Sequence, residues 1–451
     1  MTATTDRSPE PQSLAAEHLP AASAAESVHA ASAAEYVHAA SAAEHLPAAS
    51  AYATVRAASL ALTAGLSAED MLAQSMPDAS PVKWHLAHTS WFFETFVLAE
   101  LPAYRAFDPA YAILFNSYYN SVGAQHARPQ RGLLTRPALA EVLRYREHVD
   151  HSMQAALAAG LSAELITRTT LGLHHEQQHQ ELILTDLQHL LFQNPLQPIF
   201  RPVPKDISVQ SVLRDTWHTH PGGIVELGHH SRGFAFDNEG PRHRVFLEAF
   251  EIADRLVTCG EYLTFIEDGG YRRPELWLSD GWAAVQAEGW TAPLYWSDGE
   301  EGRRVFSLHG ERPLDPAEPV CHLSHYEADA FARWAGARLP TEAEWETAAA
   351  SAETPKDGGG LHPTPDAGGE GLRQLTGQLW QWTASAYLPY PRFRPAPGAV
   401  GEYNGKFMSG QVVLRGSAAV TSPSHTRITY RNFFPPQARW AFSGVRLARD
   451  A

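Results

Sequence analysis

The stretch TLGLHHEQQHQELILTDLQHLLF, Thr170–Phe192, decides how the chain is read. It contains no proline and no glycine after Gly172, and its leucines and isoleucines at 171, 173, 182, 183, 184, 187, 190 and 191 form a helical stripe rather than a strand alternation. Within it, His175–Glu176–Gln177–Gln178–His179 places two imidazoles four residues apart. On a helix such residues share one face at about 6 Å, close enough to serve one ion. A lone pair of this kind is a weak signal, more often two surface or capping histidines than a metal site, so the rest of the chain has to choose.

Upstream, residues 51–194 read as helices separated by short breaks. Ala51–Leu66 is closed by Gly65 and followed by the Ser67–Asp70 start signal; Pro81 opens Val82–Leu101; Pro137–Leu157 ends before Gly160; Ser162–Phe192 carries the histidines. Three long helices and a shorter one predict an antiparallel four-helix bundle, whose facing helices are where metal ligands project inward. The connection 107–136 is polar, aromatic and about 30 residues long, which marks it as functional rather than idle. Residues 195–212, with prolines at 195, 198, 202 and 204, read as a linker. From 213 to 451 the texture changes to short strands and loops rich in Gly, Pro and Trp, with Ser324–Ala335 and Thr341–Ala350 as the expected helices, which predicts an α+β domain. Residues 1–50 hold a nine-residue alanine-rich repeat (AASAAESVH, AASAAEYVH, AASAAEHLP) with too little apolar bulk for a core, and are expected to be disordered.

Composition excludes several classes. A formal net charge of −15 without acidic blocks argues against nucleic acid or an anionic membrane as partner. Two cysteines, Cys259 and Cys321, make no disulfide framework in 451 residues, so a reducing cytoplasm is expected. No apolar run reaches the roughly 20 residues of a membrane span. The opening MTATTDRSPEPQ lacks the basic and apolar segments of a leader.

Seven motifs occur in order: LAHTSW (Leu86–Trp91), HEQQH (175–179), FDNEGPRHRVFLEAFEI (Phe236–Ile252), RLPTEAEWETAA (Arg338–Ala349), GQLWQWTASAY (Gly377–Tyr387), LRGSA (Leu414–Ala418) and RNFFPPQARWAFSGVRLARD (Arg431–Asp450). In this order the chain resembles the EgtB family of non-haem iron sulfoxide synthases that make ergothioneine. The resemblance implies a DinB-like four-helix bundle followed by a formylglycine-generating-enzyme-like (C-type-lectin-like) α+β domain that completes the substrate pocket. It implies Fe(II) held by His88, His175 and His179, with O2 as co-substrate; three imidazoles on one side of the ion leave positions for reactants. His85, three residues before His88, shares its face and is the rival by spacing alone.

The loop FNSYYNSVGAQHARPQRGLL (Phe115–Leu134) resembles the subgroup that takes free cysteine. There Tyr118 and Tyr119 match a tyrosine pair near the iron, one of which would deliver the proton that favours carbon–sulfur coupling over thiol oxidation. Arg128 and Arg131 match positions that hold the donor's carboxylate, a planar task suited to guanidinium. Gln178 matches a contact to the imidazole of hercynine (trimethylhistidine), and Asn432, Phe433 and Phe434 match the enclosure of its trimethylammonium group. Cys259 and Cys321 do not match the catalytic cysteines of formylglycine-generating enzymes. The reading is therefore an O2-dependent iron enzyme joining cysteine to C2 of hercynine as a sulfoxide. Its nearest rival is a selenoneine synthase taking selenium from a selenosugar, and a remoter one is a zinc-bound DinB-like thiol transferase or stress protein.

Overall fold

A computed structural model describes residues 47–203, 216–230, 233–300, 302–352 and 360–451. The repeat tail up to residue 46 and the second half of the linker, from residue 204, lie outside the described residues. The helical part consists of α1 (Ala48–Ala61), the short α2 (Ala68–Leu72), α3 (Val82–Phe96), α4 (Leu139–Ala159) and α5 (Ala163–Gln193). α1, α3, α4 and α5 pack as a four-helix bundle. Local chemistry sets the ends. Ser67 and Asp70 form a reciprocal capping box on α2, Ser162 accepts from the Leu165 amide at the start of α5, and Gly160, at φ 90°, closes α4 where a side chain would be strained.

At 31 residues, α5 is about 46 Å long and spans the whole bundle. Gly172 sits in its interior, where glycine costs roughly 1 kcal/mol relative to alanine. A Cβ there would stand 2.5 Å from the Phe93 ring, so the glycine is what lets α3 approach this closely.

A buried ionic network fastens the middle of the bundle. Glu176 is fully buried and accepts from Arg56 Nη1 at 2.9 Å, Arg146 Nη2 at 2.5 Å and Ser59 Oγ at 2.6 Å. Arg56 also donates to Asp150 at 2.6 Å and to Ser90 Oγ at 2.8 Å. One carboxylate thus ties α5 to α1 and α4, and Arg56 extends the tie to α3. Burial opposes the Glu176 charge, but the two guanidiniums outweigh it and hold its carboxyl at about 2.

The second part is α+β. Its strands are β1 (Trp217–His220), β2 (Gly223–Leu227), β3 (His243–Leu247), β4 (Phe250–Ala253), β5 (Trp296–Gly299), β6 (Gly302–Ser307), β7 (Gly310–Pro313), β8 (Trp380–Ala386), β9 (Val412–Arg415), β10 (Asn432–Phe434), β11 (Ser443–Gly444) and β12 (Ala448–Asp450). They form small sheets in the orders β1-β4-β12, β10-β9-β8-β11, β2-β3 and β5-β6-β7. Trp345, Trp380 and Trp382 are fully buried. Beyond the two expected helices, here α8 (His325–Trp334) and α9 (Glu342–Ala350), two more occur, α6 (Cys259–Glu267) and α7 (Ser279–Glu288). α6 opens on a Thr258–Glu261 capping box, whereas α7 has no side-chain cap and an interior Gly281 whose Cβ would meet Tyr326 at 2.7 Å. Cys259 and Cys321 are free and buried, and burial pushes both thiols well above their usual range. Among the described residues no helix is long and apolar enough to cross a membrane.

The two parts meet along α5. Gln177 donates to Ser422 Oγ at 3.0 Å and Ser424 Oγ at 2.6 Å, Trp380 Nε1 donates to Glu181 at 2.6 Å, and Gln188 bonds His322 Nε2 at 3.0 Å. The described start of the linker follows: the amides of Phe200 and Arg201 both donate to the Leu308 carbonyl.

Because removing Glu176 leaves the buried Arg146 without its hydrogen-bonded carboxylate and Arg56 with Asp150 alone, Glu176→Ala is expected to cost about 3–5 kcal/mol of stability. Equilibrium urea unfolding of the variant against the parent chain checks this.

Candidate metal centre

α3 and α5 face one another so that His88 comes from the first and His175 and His179 from the second. Their ligand atoms all lie within 4.8 Å of one another, and all three residues are buried. This is the one such group among the described residues. Burial, reinforced by the neighbouring imidazoles, pushes His88 and His179 well below the usual histidine range, and burial brings His175 to about 3. Three buried imidazoles kept neutral are in the protonation state that metal binding requires.

Hydrogen bonds fix the tautomers. His88 Nδ1 donates to the Phe115 carbonyl at 2.6 Å, leaving Nε2 as a lone pair that is buried and has no hydrogen-bond partner. His179 Nδ1 lies 2.7 Å from His85 Nδ1, and His85 Nε2 lies 3.2 Å from Asp186 Oδ2. Asp186, a carboxylate, can only accept, so His85 donates to it through Nε2 and accepts from His179 through Nδ1. The Nε2 of His179 is then the free lone pair. The Ser80 amide also donates to Asp186, at 2.8 Å, which holds the carboxylate in place. His85 is therefore a hydrogen-bond partner of His179 rather than a member of the cluster. The orphaned Nε2 of His88 and the all-nitrogen donor set suit a divalent first-row metal.

Around the cluster, Trp84 stacks on His88 at 4.6 Å, and the Arg131 guanidinium lies 3.4 Å from the centre of the Trp84 ring. Arg131 is 2% exposed and donates to Ser80 Oγ at 2.9 Å and Ser117 Oγ at 3.3 Å; no carboxylate among the described residues pairs with it. Burial lowers its pKa to about 9. Arg128 is exposed one turn earlier in the helical segment Arg128–Leu133.

Tyr119 is fully buried among Trp91, Phe92 and Phe96, and Tyr118 stacks on it at 4.6 Å. Burial raises both phenols, Tyr118 to about 12 and Tyr119 further. The Asn116 side chain holds this loop from inside, accepting from the Tyr119 amide at 3.1 Å and donating to its carbonyl at 3.0 Å.

The α+β part closes the other side. Gln178 donates to Tyr430 Oη at 2.5 Å and accepts from Tyr403 Oη. The Tyr403 ring stands 5.7 Å from His175 and stacks on Phe236. His174 stacks on Phe234 at 3.8 Å and bonds His425, so it faces the domain seam rather than the cluster. Phe433 and Phe434 are adjacent in β10 and therefore point to opposite faces. Phe433 stacks on Tyr387 at 4.1 Å and approaches Phe407, which itself packs edge-on against Tyr118; Phe434 packs against Trp440. The Asn432 side chain accepts from the Phe433 amide at 2.9 Å. Tyr403 and Phe236 were not singled out from the sequence. Tyr403 lies in Gly401–Phe407, GEYNGKF, a loop without periodicity, and Phe236 opens FDNEGPRHRVFLEAFEI.

Residues 51–191 match the DinB superfamily, and residues 213–364 and 362–451 match the sulfatase-modifying factor enzyme 1-like domain. The hercynine oxygenase of Mycobacterium tuberculosis is 33% identical over 84% of this chain and 93% of its own length. That of Mycolicibacterium thermoresistibile is 32% identical over 84% and 90%. The chain belongs to the hercynine oxygenase family. Family members thus share both parts of this fold, the DinB-like bundle and the α+β domain behind it. A more partial match is ergothioneine biosynthesis protein 1 of Schizosaccharomyces pombe, 28% identical over 48% of this chain and 28% of that protein.

Partners that orient metal-bound histidines typically contribute 10–100-fold to metal affinity. Asp186→Asn is expected to weaken divalent-metal binding within that range, while His175→Ala abolishes it. Competition against a chromophoric chelator under anaerobic conditions measures both.

Proposed function

We propose that this chain is an O2-dependent iron(II) enzyme that joins the sulfur of cysteine to C2 of the hercynine imidazole, giving a sulfoxide. The observation that carries the reading is the cluster of three neutral imidazoles with the unpaired Nε2 of His88, lying beside a buried arginine whose hydrogen bonds go to hydroxyls rather than to a carboxylate. The relatives named hercynine oxygenase and ergothioneine biosynthesis protein support the substrate and the pathway. Iron(II) held by His88, His175 and His179 would supply the oxidising chemistry with dioxygen.

The chain's own residues do the rest. Arg131 is a buried cation awaiting an anion, and the carboxylate of an amino-acid donor meets that need with two parallel hydrogen bonds. A neutral selenosugar would leave the guanidinium unpaired, which favours cysteine as donor. Arg128, exposed one turn away, would receive the incoming carboxylate. Gln178, with both ends of its amide set by tyrosines, would present to the hercynine imidazole from the same helix as two ligands. Of Asn432, Phe433 and Phe434, Phe433 is the one whose face of β10 leads through Phe407 to Tyr118, so it would line the trimethylammonium end, its ring contributing about 0.5–2 kcal/mol. Because burial raises the Tyr118 and Tyr119 phenols above their usual range, both keep their protons at neutral pH and either can donate one.

Anaerobic loading with Fe(II), followed by oxygen uptake with hercynine and either cysteine or a selenosugar, tests the reading. Uptake with cysteine and formation of a hercynine–cysteine sulfoxide is expected; no uptake with either donor refutes it, and turnover confined to the selenosugar reassigns the donor. Tyr118→Phe and Tyr119→Phe should include one variant that shifts product from coupling toward thiol oxidation, and unchanged product ratios in both would remove the phenols from the proton step.

A further inference from the structure

The tyrosine-bearing loop has little regular structure of its own: a single helical turn (Tyr111–Leu114) precedes the tyrosines and the helical segment Arg128–Leu133 follows them. Something else must hold the two phenols in place. Inside, Asn116 does so. Outside, the holding groups come from the other domain. Glu402 accepts from the amides of Asn120 at 2.9 Å and Ser121 at 2.8 Å and from the Ser121 hydroxyl. Lys406 pairs with Glu402 at 2.8 Å, donates to the Tyr118 carbonyl, and lies 5.0 Å from the centre of the Tyr118 ring.

The segment Gly401–Phe407 alternates between two tasks. Glu402 and Lys406, four residues apart, grip the backbone on both sides of Tyr119. Tyr403 and Phe407, the residues that follow each of them, turn inward to Gln178 and His175 and to Tyr118 respectively. Asn404 anchors the segment to its own domain by donating to Asp237 at 2.7 Å. One short loop therefore sets Tyr118, Tyr119 and Tyr403 relative to one another.

We infer that Glu402 and Lys406 are positioning residues, a cross-domain clasp that fixes the tyrosine loop over the metal centre. This rests on the function proposed above. Glu402 touches only loop backbone, Ser121 and Lys406, so its effect on chemistry passes through the loop. Burial opposes its charge, yet Lys406 and the Ser121 and Asn120 donors hold its carboxyl at about 2, so the grip persists across the neutral range.

The test compares Glu402→Ala and Lys406→Met with the parent chain by two independent readouts. Amide hydrogen exchange in the peptide covering 116–123 should quicken at least tenfold in Glu402→Ala, with exchange in α3 and α5 unchanged. In turnover, kcat and the share of coupled product should fall about tenfold, with thiol oxidation rising. Fe(II) affinity and KM for hercynine should stay within twofold, and Glu402→Gln, which keeps one acceptor oxygen, should recover part of the loss. Lys406→Met should move both readouts the same way by a smaller factor. Unchanged exchange at 116–123 overturns the clasp, and faster exchange with unchanged product partition overturns its positioning role. If the parent enzyme consumes no oxygen with either donor, the proposed function fails, while the exchange comparison still decides the clasp.

Discussion

Everything near the metal centre depends on one turn and a half of α5 meeting three different surroundings at once. His175 and His179 face the ion site, Glu176 faces the interior of the bundle, and Gln177 and Gln178 face the other domain. Successive residues on a helix are 100° apart, so the run HEQQH distributes its side chains around the axis and brings the two histidines back to one face. The buried Glu176 pair with Arg56 and Arg146 stops the helix rotating or sliding. Since Glu176 adjoins His175, fixing the carboxylate fixes the imidazole beside it. A buried ion pair of this kind adds little net stability, but it specifies one register.

Tautomer control extends outward from the same turn. The Phe115 carbonyl sets His88, and the His85–Asp186 pair sets His179, so two of the three imidazoles have one nitrogen committed before any ion arrives. The Phe115 carbonyl belongs to the loop that carries Tyr118 and Tyr119. Ligand orientation and phenol placement are therefore linked through three residues of chain.

The bundle was legible because period-3.6 apolar spacing and cap signals are local properties, and Ser67–Asp70 and Ser162 read correctly as helix starts. The same signal was present at Thr258–Glu261 and went unread among short strands and loops; α7 offers less, since its one interior glycine serves packing against Tyr326 rather than the helix itself. The choice between His85 and His88 could not be made from spacing, because both share a face. What separates them in space is a carbonyl at 115 and a carboxylate at 186, both remote in sequence. Tyr403 and Glu402 were invisible for a related reason. They sit in an aperiodic loop, and their partners lie at 178 and 120–121. The opposite orientation of Phe433 and Phe434 follows from strand alternation, once β10 is known to be a strand.

The proline-rich connection after residue 194 makes the two parts look like exchangeable modules, yet the seam along α5 says otherwise. Gln177, Glu181 and Gln188 spend their hydrogen bonds on Ser422, Ser424, Trp380 and His322. A bundle grafted onto a foreign α+β domain would bury those groups unmet, at about 1–3 kcal/mol each. Recombination at the linker would thus be selected against. Lineages of this protein should diversify by substitution within both halves together, with the unit of inheritance being the pair rather than either fold.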